Sequence, residues 1–218
     1  ELGTEESGVA PFVSLFWASL MIGRWTSAAG AFNISSKLKS VLGLILPFVA
    51  FVIFLFVNWI AGYGMQQFLP YIALVFLLIL ADKISKGNPV NQIMIYSAIG
   101  ILAMLVGIFA KGIISVFAFI AVGLFCSTLW PCIFTLGIAG LKEKTNTASS
   151  LLIMMIMGGG FISTLQGALA SDHLLGIQHS YWVGVICFAY LFFFAWTVNK
   201  KLKLQGVNWE SSTDKVGH

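Results

Sequence analysis

The sequence predicts an all-α integral membrane protein with about seven transmembrane helices. Of its 218 residues, 59% are hydrophobic and 9% are charged, and the mean hydropathy is +0.95. A soluble globule of this size needs far more polar surface than that. The apolar residues are also gathered into runs long enough to cross a hydrocarbon core of about 30 Å.

Seven such runs are separated by short polar connections, which leave no room for a soluble domain. The third is the weakest, because its apolar part is short and needs Gln66, Gln67 and Lys83 at its ends to span the bilayer. The predicted spans cover residues 8–31, 41–61, 66–83, 90–110, 113–140, 147–170 and 180–199.

The basic residues predict the orientation of these spans. Of the 12 Lys and Arg residues, all but Lys111 follow the first, third, fifth or seventh span. Basic residues concentrate in cytoplasmic loops, so the chain's N-terminus is predicted outside the cell and its C-terminus in the cytoplasm. This topology also accounts for the pI of 9.0 without nucleic acid, and the predicted partner is the lipid bilayer.

None of the eight acidic residues lies within the apolar part of a predicted span, since Asp82 follows the apolar part of the third span at its predicted cytoplasmic end. A proton-driven transporter needs an ionisable group at membrane depth. If the protein moves protons, its coupling carboxylate is therefore expected to precede Glu1. The acidic start, without Met or a signal peptide, likewise predicts that Glu1 is internal to a longer product.

The end of the first span carries Arg24 within the sequence Gly23-Arg24-Trp25. Helical spacing places Arg24 on the same face as Trp17 and Met21. One interpretation is a basic anchor beside an interfacial Trp. The other is a gating residue that pairs with a neighbouring helix in one conformation only.

The fifth span contains Pro131, which has no amide hydrogen and leaves the carbonyl of Ser127 without its helical donor. A kink is therefore expected here. Small, polar and aromatic residues share one face of this span, which suits a sugar that stacks on rings and hydrogen-bonds to hydroxyls, although plain helix packing gives the same pattern. These residues are Gly123, Ser127, Trp130, Phe134 and Gly137.

The sixth span contains the triplet Gly158 to Gly160. Because the triplet is deep in apolar sequence, a phosphate site is not expected there. Gly160, Thr164 and Ala168 are spaced by four and favour close packing with another helix. Gln166 is expected to face a partner helix or a polar cavity, because an unpaired amide at membrane depth is costly.

The sequence offers no metal-ligand spacing, cofactor motif or catalytic grouping. An enzyme is therefore not predicted, and neither is a metal or a cofactor. Seven spans with an external N-terminus leave a non-transporting sensor or membrane scaffold as the alternative class. A retinal protein is excluded, because the last span has no Lys before Lys200.

Three segments resemble the fucose and glucose/galactose proton symporters, a branch of the major facilitator superfamily. Gly23-Arg24-Trp25 looks like the family's Gly-Arg-aromatic element at the end of a helix. Residues 130–138 are similar to its tenth helix, with the Pro-x-Ile-Phe and Leu-Gly-Ile elements. Residues 149–172 resemble its eleventh helix, with paired serines, a glycine triplet and a terminal Ser-Asp.

The resemblance implies helices eight to twelve of a twelve-helix bacterial cytoplasmic-membrane transporter, with the N-terminal half missing from this chain. It fails over residues 41–87, where two extra spans form an inserted hairpin. The predicted organisation is thus a first span and basic loop (1–40), the hairpin (41–87), a four-span transporter bundle (88–199) and a cytoplasmic tail (200–218).

The family's alternating-access mechanism implies roles for individual residues. The cavity wall would come from the fifth span, flanked by residues of the first and sixth. Arg24 would belong to the cytoplasmic gate, while Pro131, Gly158, Gly159 and Gly160 would allow helices to move. The implied substrates are a proton and a small neutral solute such as fucose, glucose or galactose. The candidate cavity residues are Ser127, Thr128, Trp130, Phe134, Trp17 and Gln166.

Overall fold

The computed structural model describes residues 6–31, 35–171 and 173–204. Within those ranges it is helical, with turns and short connections and no strand, which confirms the predicted class. The helices are α1 (Glu6–Ala31), α2 (Ser36–Ile60), α3 (Ile72–Ser85), α4 (Pro89–Phe109), α5 (Ile113–Cys126), α6 (Leu129–Ile138), α7 (Thr145–Met154), α8 (Gly158–Leu169), α9 (Gly176–Ser180) and α10 (Trp182–Leu204).

Six helical segments in the described part of the chain are long and apolar enough to cross a membrane. Helix α1 runs for 26 residues, so the predicted first span is confirmed as a helix. The six segments are Ser40–Ile60, Gln66–Ser85, Pro89–Phe109, Ile113–Ile138, Thr145–Leu169 and Gly176–Lys201.

The third predicted span forms as a composite helix. A 3₁₀ helix over Gln66–Tyr71 contains Pro70 and continues into α3. Tyr71, at the junction, is fully buried, and its hydroxyl hydrogen-bonds to that of Ser19 on α1. Helices α2 and α3 are therefore attached to α1 by a buried polar contact as well as by apolar packing.

Helix α4 lies at the centre of the bundle and packs against α3, α5, α6 and α10. Glycines let its neighbours approach closely. A Cβ on Gly100 would lie 2.6 Å from the Phe188 ring of α10, and one on Gly107 would lie 2.8 Å from the Phe119 ring of α5. At the end of α4, Gln178 of α9 donates to the carbonyls of Gly107 and Ala110 at 2.8 and 2.9 Å.

The fifth predicted span breaks where the sequence predicts a kink. Helix α5 ends at Cys126, α6 begins at Leu129, and Ser127 and Thr128 form a turn between them. Pro131 cannot donate to the Ser127 carbonyl, so the helical ladder loses one bond at this point. The observed break thus has a local chemical cause.

The sixth predicted span consists of α7, a 3₁₀ turn over Met155–Met157, and α8. None of its residues is buried. No described atom outside the helix lies within 4 Å of a Cβ built on Gly158, Gly159, Gly160 or Gly167. No other described helix reaches this face, so the close packing predicted at Gly160, Thr164 and Ala168 is not made within the described part of the chain and stays a prediction.

Candidate functional site

Trp17 and Arg24 lie on an open cavity of about 320 Å³ along one face of α1. Their spacing of seven residues, two helical turns, places them on the same side of the helix. Trp17 is 65% exposed, so its ring is available to a ligand. The cavity combines an aromatic surface with a guanidinium, and its lining residues are Trp17, Leu20, Met21, Arg24 and Trp25.

Trp130 and Phe134 form a second exposed aromatic surface on α6. Their ring centroids are 6.4 Å apart, as expected for residues one helical turn apart. Trp130 is 39% exposed, although it follows directly on the buried Thr128 and Leu129. The break between α5 and α6 therefore places an exposed indole next to the interior of the bundle.

Ser127 and Thr128, in contrast, lie inside the bundle. The Ser127 hydroxyl donates to the Leu124 carbonyl at 2.6 Å and sits against Gly23 of α1. Thr128 is 2% exposed, and its hydroxyl has no hydrogen-bond partner. This structure therefore does not present either hydroxyl to an open cavity, and their predicted contact with substrate requires a different arrangement of α1 and α6.

Gln166 lies apart from these residues, on α8, which packs against α9. Its side chain is half-exposed and has no hydrogen-bond partner among the described residues. The structure thus brings together Trp17 with Arg24 and Trp130 with Phe134. It does not join Gln166 to either pair.

Sequence reasoning missed a polar cluster around Asp82. The Gln92 amide donates to an Asp82 oxygen at 3.4 Å, and the Cys132 thiol donates to the Gln92 carbonyl oxygen at 3.2 Å. Tyr96 and Thr128 complete the cluster. The spacing of polar residues in the sequence could have indicated this cluster. Gln92 and Tyr96 are one turn apart on α4, so they share a face of that helix. Thr128 and Cys132 are likewise one turn apart at the start of α6.

The chain matches no family model and no solved structure. Among curated proteins, a glucose/galactose transporter from Brucella abortus is 33% identical over 96 residues, which is 44% of this chain and 23% of that protein. The L-fucose-proton symporter of Escherichia coli is 33% identical over 112 residues, 51% of this chain and 25% of that protein.

A putative glucose/galactose transporter from Helicobacter pylori is 32% identical over 122 residues, 54% of this chain and 29% of that protein. The matches thus span about a quarter of the length of these relatives. All three relatives are named as transporters or symporters of a sugar. Over about half its length the chain is similar to sugar transporters and a sugar-proton symporter, which confirms the resemblance to that branch of the major facilitator superfamily.

Proposed function

We propose that this chain forms the C-terminal portion of a bacterial sugar and proton symporter that works by alternating access in the cytoplasmic membrane. The observation that carries the proposal is the similarity to named sugar transporters and to an L-fucose-proton symporter. It is supported by six helical segments of the described chain that are long and apolar enough to cross a membrane. The remaining helices of the transporter would complete the sugar site.

The exposed aromatic residues support a sugar as the substrate. The apolar C–H face of a sugar stacks on aromatic rings, while its hydroxyls take hydrogen bonds from a small number of polar groups. Trp130 and Phe134 offer such rings, and Trp17 offers another beside the Arg24 guanidinium. None of these four side chains is fully buried.

The break between α5 and α6 supports a mechanism in which helices rock against one another. Broken helices near the middle of a membrane protein are typical of transporters, because the freed carbonyls and the bend serve a binding site or a hinge. Gly158 to Gly160 offer a second flexible point, since a glycine-rich helix resists bending less. We assign Pro131 and the glycine triplet to the hinges, and Arg24 to the gate at the predicted cytoplasmic end.

Symport is tested with the product of the complete gene, expressed in cells that lack their own uptake systems for fucose, glucose and galactose. We expect addition of the transported sugar to raise the external pH, as protons enter with it, and a protonophore to abolish sugar accumulation. Uptake that is indifferent to the proton gradient would refute the coupling. An absence of uptake for all three sugars and related neutral solutes would favour the sensor or scaffold instead.

Removal of the Trp130 ring is expected to weaken sugar binding. We predict that Trp130→Ala raises the apparent Km about tenfold, which corresponds to about 1.4 kcal/mol and is within the range for an aromatic contact. The measurement is the sugar-concentration dependence of initial uptake rates, corrected for the amount of protein in the membrane.

Trp196→Ala is the matched control. Trp196 is 53% exposed and pairs with Phe193 on α10 at a centroid distance of 6.2 Å, a geometry close to that of Trp130 and Phe134. It lies outside the proposed site, so its removal is expected to leave the apparent Km unchanged. Equal effects of the two substitutions would show that Trp130 acts through general packing or lipid contact.

A further inference from the structure

We propose that Asp82 is a proton-binding carboxylate, held in a polar cluster with Gln92, Tyr96, Thr128 and Cys132 where α3, α4 and α6 meet. Only the expected effect of Asp82 on transport rests on the proposed symport. Proton binding by Asp82 is argued from the surroundings of the carboxylate alone. The proton would come from solvent and form an O–H bond with one Asp82 oxygen, so that the side chain becomes neutral.

The first argument is that no Lys or Arg with a described side chain neutralises Asp82. Its side chain is half-buried within the membrane-spanning segment Gln66–Ser85. It forms no ion pair with any Lys or Arg whose side chain the structure describes. Its contact with the Gln92 amide is long at 3.4 Å. A carboxylate withdrawn from water without a counter-charge is stabilised by taking up a proton or a cation.

The second argument is that buried hydroxyls around Asp82 have no partner. The Tyr96 hydroxyl lies near the Asp82 carboxylate and near Thr128. However, neither the Tyr96 nor the Thr128 hydroxyl makes a hydrogen bond, and both residues are at least 98% buried. Unpartnered polar groups inside a protein are uncommon and call for an explanation such as an absent ion, water or proton.

The third argument is that the cluster can accommodate both forms of the carboxyl. When Asp82 is ionised, it accepts from the Gln92 amide, and a small movement of the carboxylate would let the Tyr96 hydroxyl donate to it as well. When Asp82 is protonated, the same movement would let its O–H donate to the Tyr96 oxygen, because a hydroxyl both donates and accepts. The Cys132 thiol donates to the Gln92 carbonyl oxygen, which keeps the amide nitrogen directed at Asp82.

The surroundings favour a proton over a metal ion. The titratable groups facing Asp82 are the Tyr96 phenol on α4 and the Cys132 thiol on α6. Lys83 and Lys86 lie on the same segment as Asp82 but do not pair with it. In the described part of the chain, no group of three or more His, Cys, Asp or Glu side chains could hold a metal. A site made of one carboxylate, neutral hydroxyls and an amide suits a proton.

The cluster also links protonation to the helix break. Thr128 lies in the turn between α5 and α6, and Cys132 lies one turn later, beside Pro131. Movement of α6 about this break would separate Cys132 and Thr128 from α4. The Gln92 amide would then be free to rotate, and the hydrogen bonding of Asp82 would change. Proton binding at Asp82 is therefore expected to depend on the position of α6.

The test uses the complete gene product with Asp82→Asn, compared with Glu143→Gln, which removes an exposed acid near the same predicted cytoplasmic side. Asparagine keeps the size of the side chain and its hydrogen bond to Gln92. Infrared difference spectra recorded between acidic and neutral pH report the carboxylic C=O absorption of an Asp that takes up a proton. This readout does not require the protein to transport sugar.

We expect one carboxylic C=O band to disappear in Asp82→Asn, to persist in Glu143→Gln, and to return at a shifted frequency in Asp82→Glu. Spectra of Asp82→Asn that match the wild type would overturn the proposal, whether or not the protein transports sugar. In uptake assays, Asp82→Asn is expected to lose proton-driven accumulation while retaining exchange of internal for external sugar. Accumulation at the wild-type level would exclude a role for this proton in symport.

Discussion

Replacement of Gly23 by alanine is expected to destabilise the bundle more than any other substitution of one small residue on α1. A Cβ at this position would lie 1.9 Å from the Ser127 hydroxyl oxygen and 2.7 Å from the Leu124 carbonyl oxygen. Rotation of Ser127 relieves the first contact, but the carbonyl belongs to the backbone of α5. Helices α1 and α5 must therefore move apart, and overpacking of this kind costs about 1 to 3 kcal/mol.

Thermal unfolding of the purified protein in detergent measures this effect. A loss of 1 kcal/mol lowers the midpoint by about 2 to 4 °C in a chain of this length, so a fall of several degrees is expected. Gly43→Ala is the control, because no described atom lies within 4 Å of a Cβ at Gly43, and alanine favours the α2 helix over glycine. Gly23→Ala/Ser127→Gly should recover part of the loss. Equal midpoints for Gly23→Ala and Gly43→Ala would contradict the predicted clash.

The contact between Gly23 and Ser127 also shows which features of the fold could not be predicted from the sequence. Helix positions were predictable because long apolar runs are a local signal, and so was the break near Ser127, because a missing amide hydrogen acts on the same helix. The direction in which Ser127 faces depends on which helix packs against α5. That information is not in the spacing of residues along α5, so the hydroxyl was placed in a cavity when it lies against α1.

The difference between signals within one helix and contacts made by other helices also explains why Asp82 was missed. Its position at the end of an apolar run suggested an acid at the membrane surface. Its burial comes from α4 and α6, which begin 7 and 47 residues later in the chain. The expectation that a coupling carboxylate must precede Glu1 rested on linear position alone, and the polar cluster offers an acid within this chain.

At the glycines of α8, the sequence predicted a contact that the described residues do not make. A small-residue stripe signals that a helix can be approached closely, but it does not identify the helix that approaches. No described helix does so here, and the entire Thr145–Leu169 span is without a buried residue. Under the proposed function, this is the face that the remaining helices of the transporter would cover.

Replacement of Pro131 by alanine is expected to raise stability and to slow transport. The new amide hydrogen can donate to the Ser127 carbonyl, which closes the gap between α5 and α6. Pro131 is the third residue of α6, and a proline costs little in the first turn of a helix, so the unfolding midpoint should rise only through the new bond that joins α5 to α6. A continuous helix resists bending, and a barrier to rocking that is higher by about 1.4 kcal/mol would reduce the maximal transport rate tenfold.

Pro47→Ala distinguishes a hinge from a merely structural role for Pro131. Pro47 lies inside α2, which runs unbroken from Ser36 to Ile60 in the hairpin, away from the proposed hinge. Its replacement should also stabilise the protein but leave the transport rate unchanged. The two variants are compared by unfolding midpoint and by the maximal rate of sugar exchange per molecule. If Pro131→Ala is stabilised and still exchanges sugar at the wild-type rate, the break between α5 and α6 does not act as a hinge during transport.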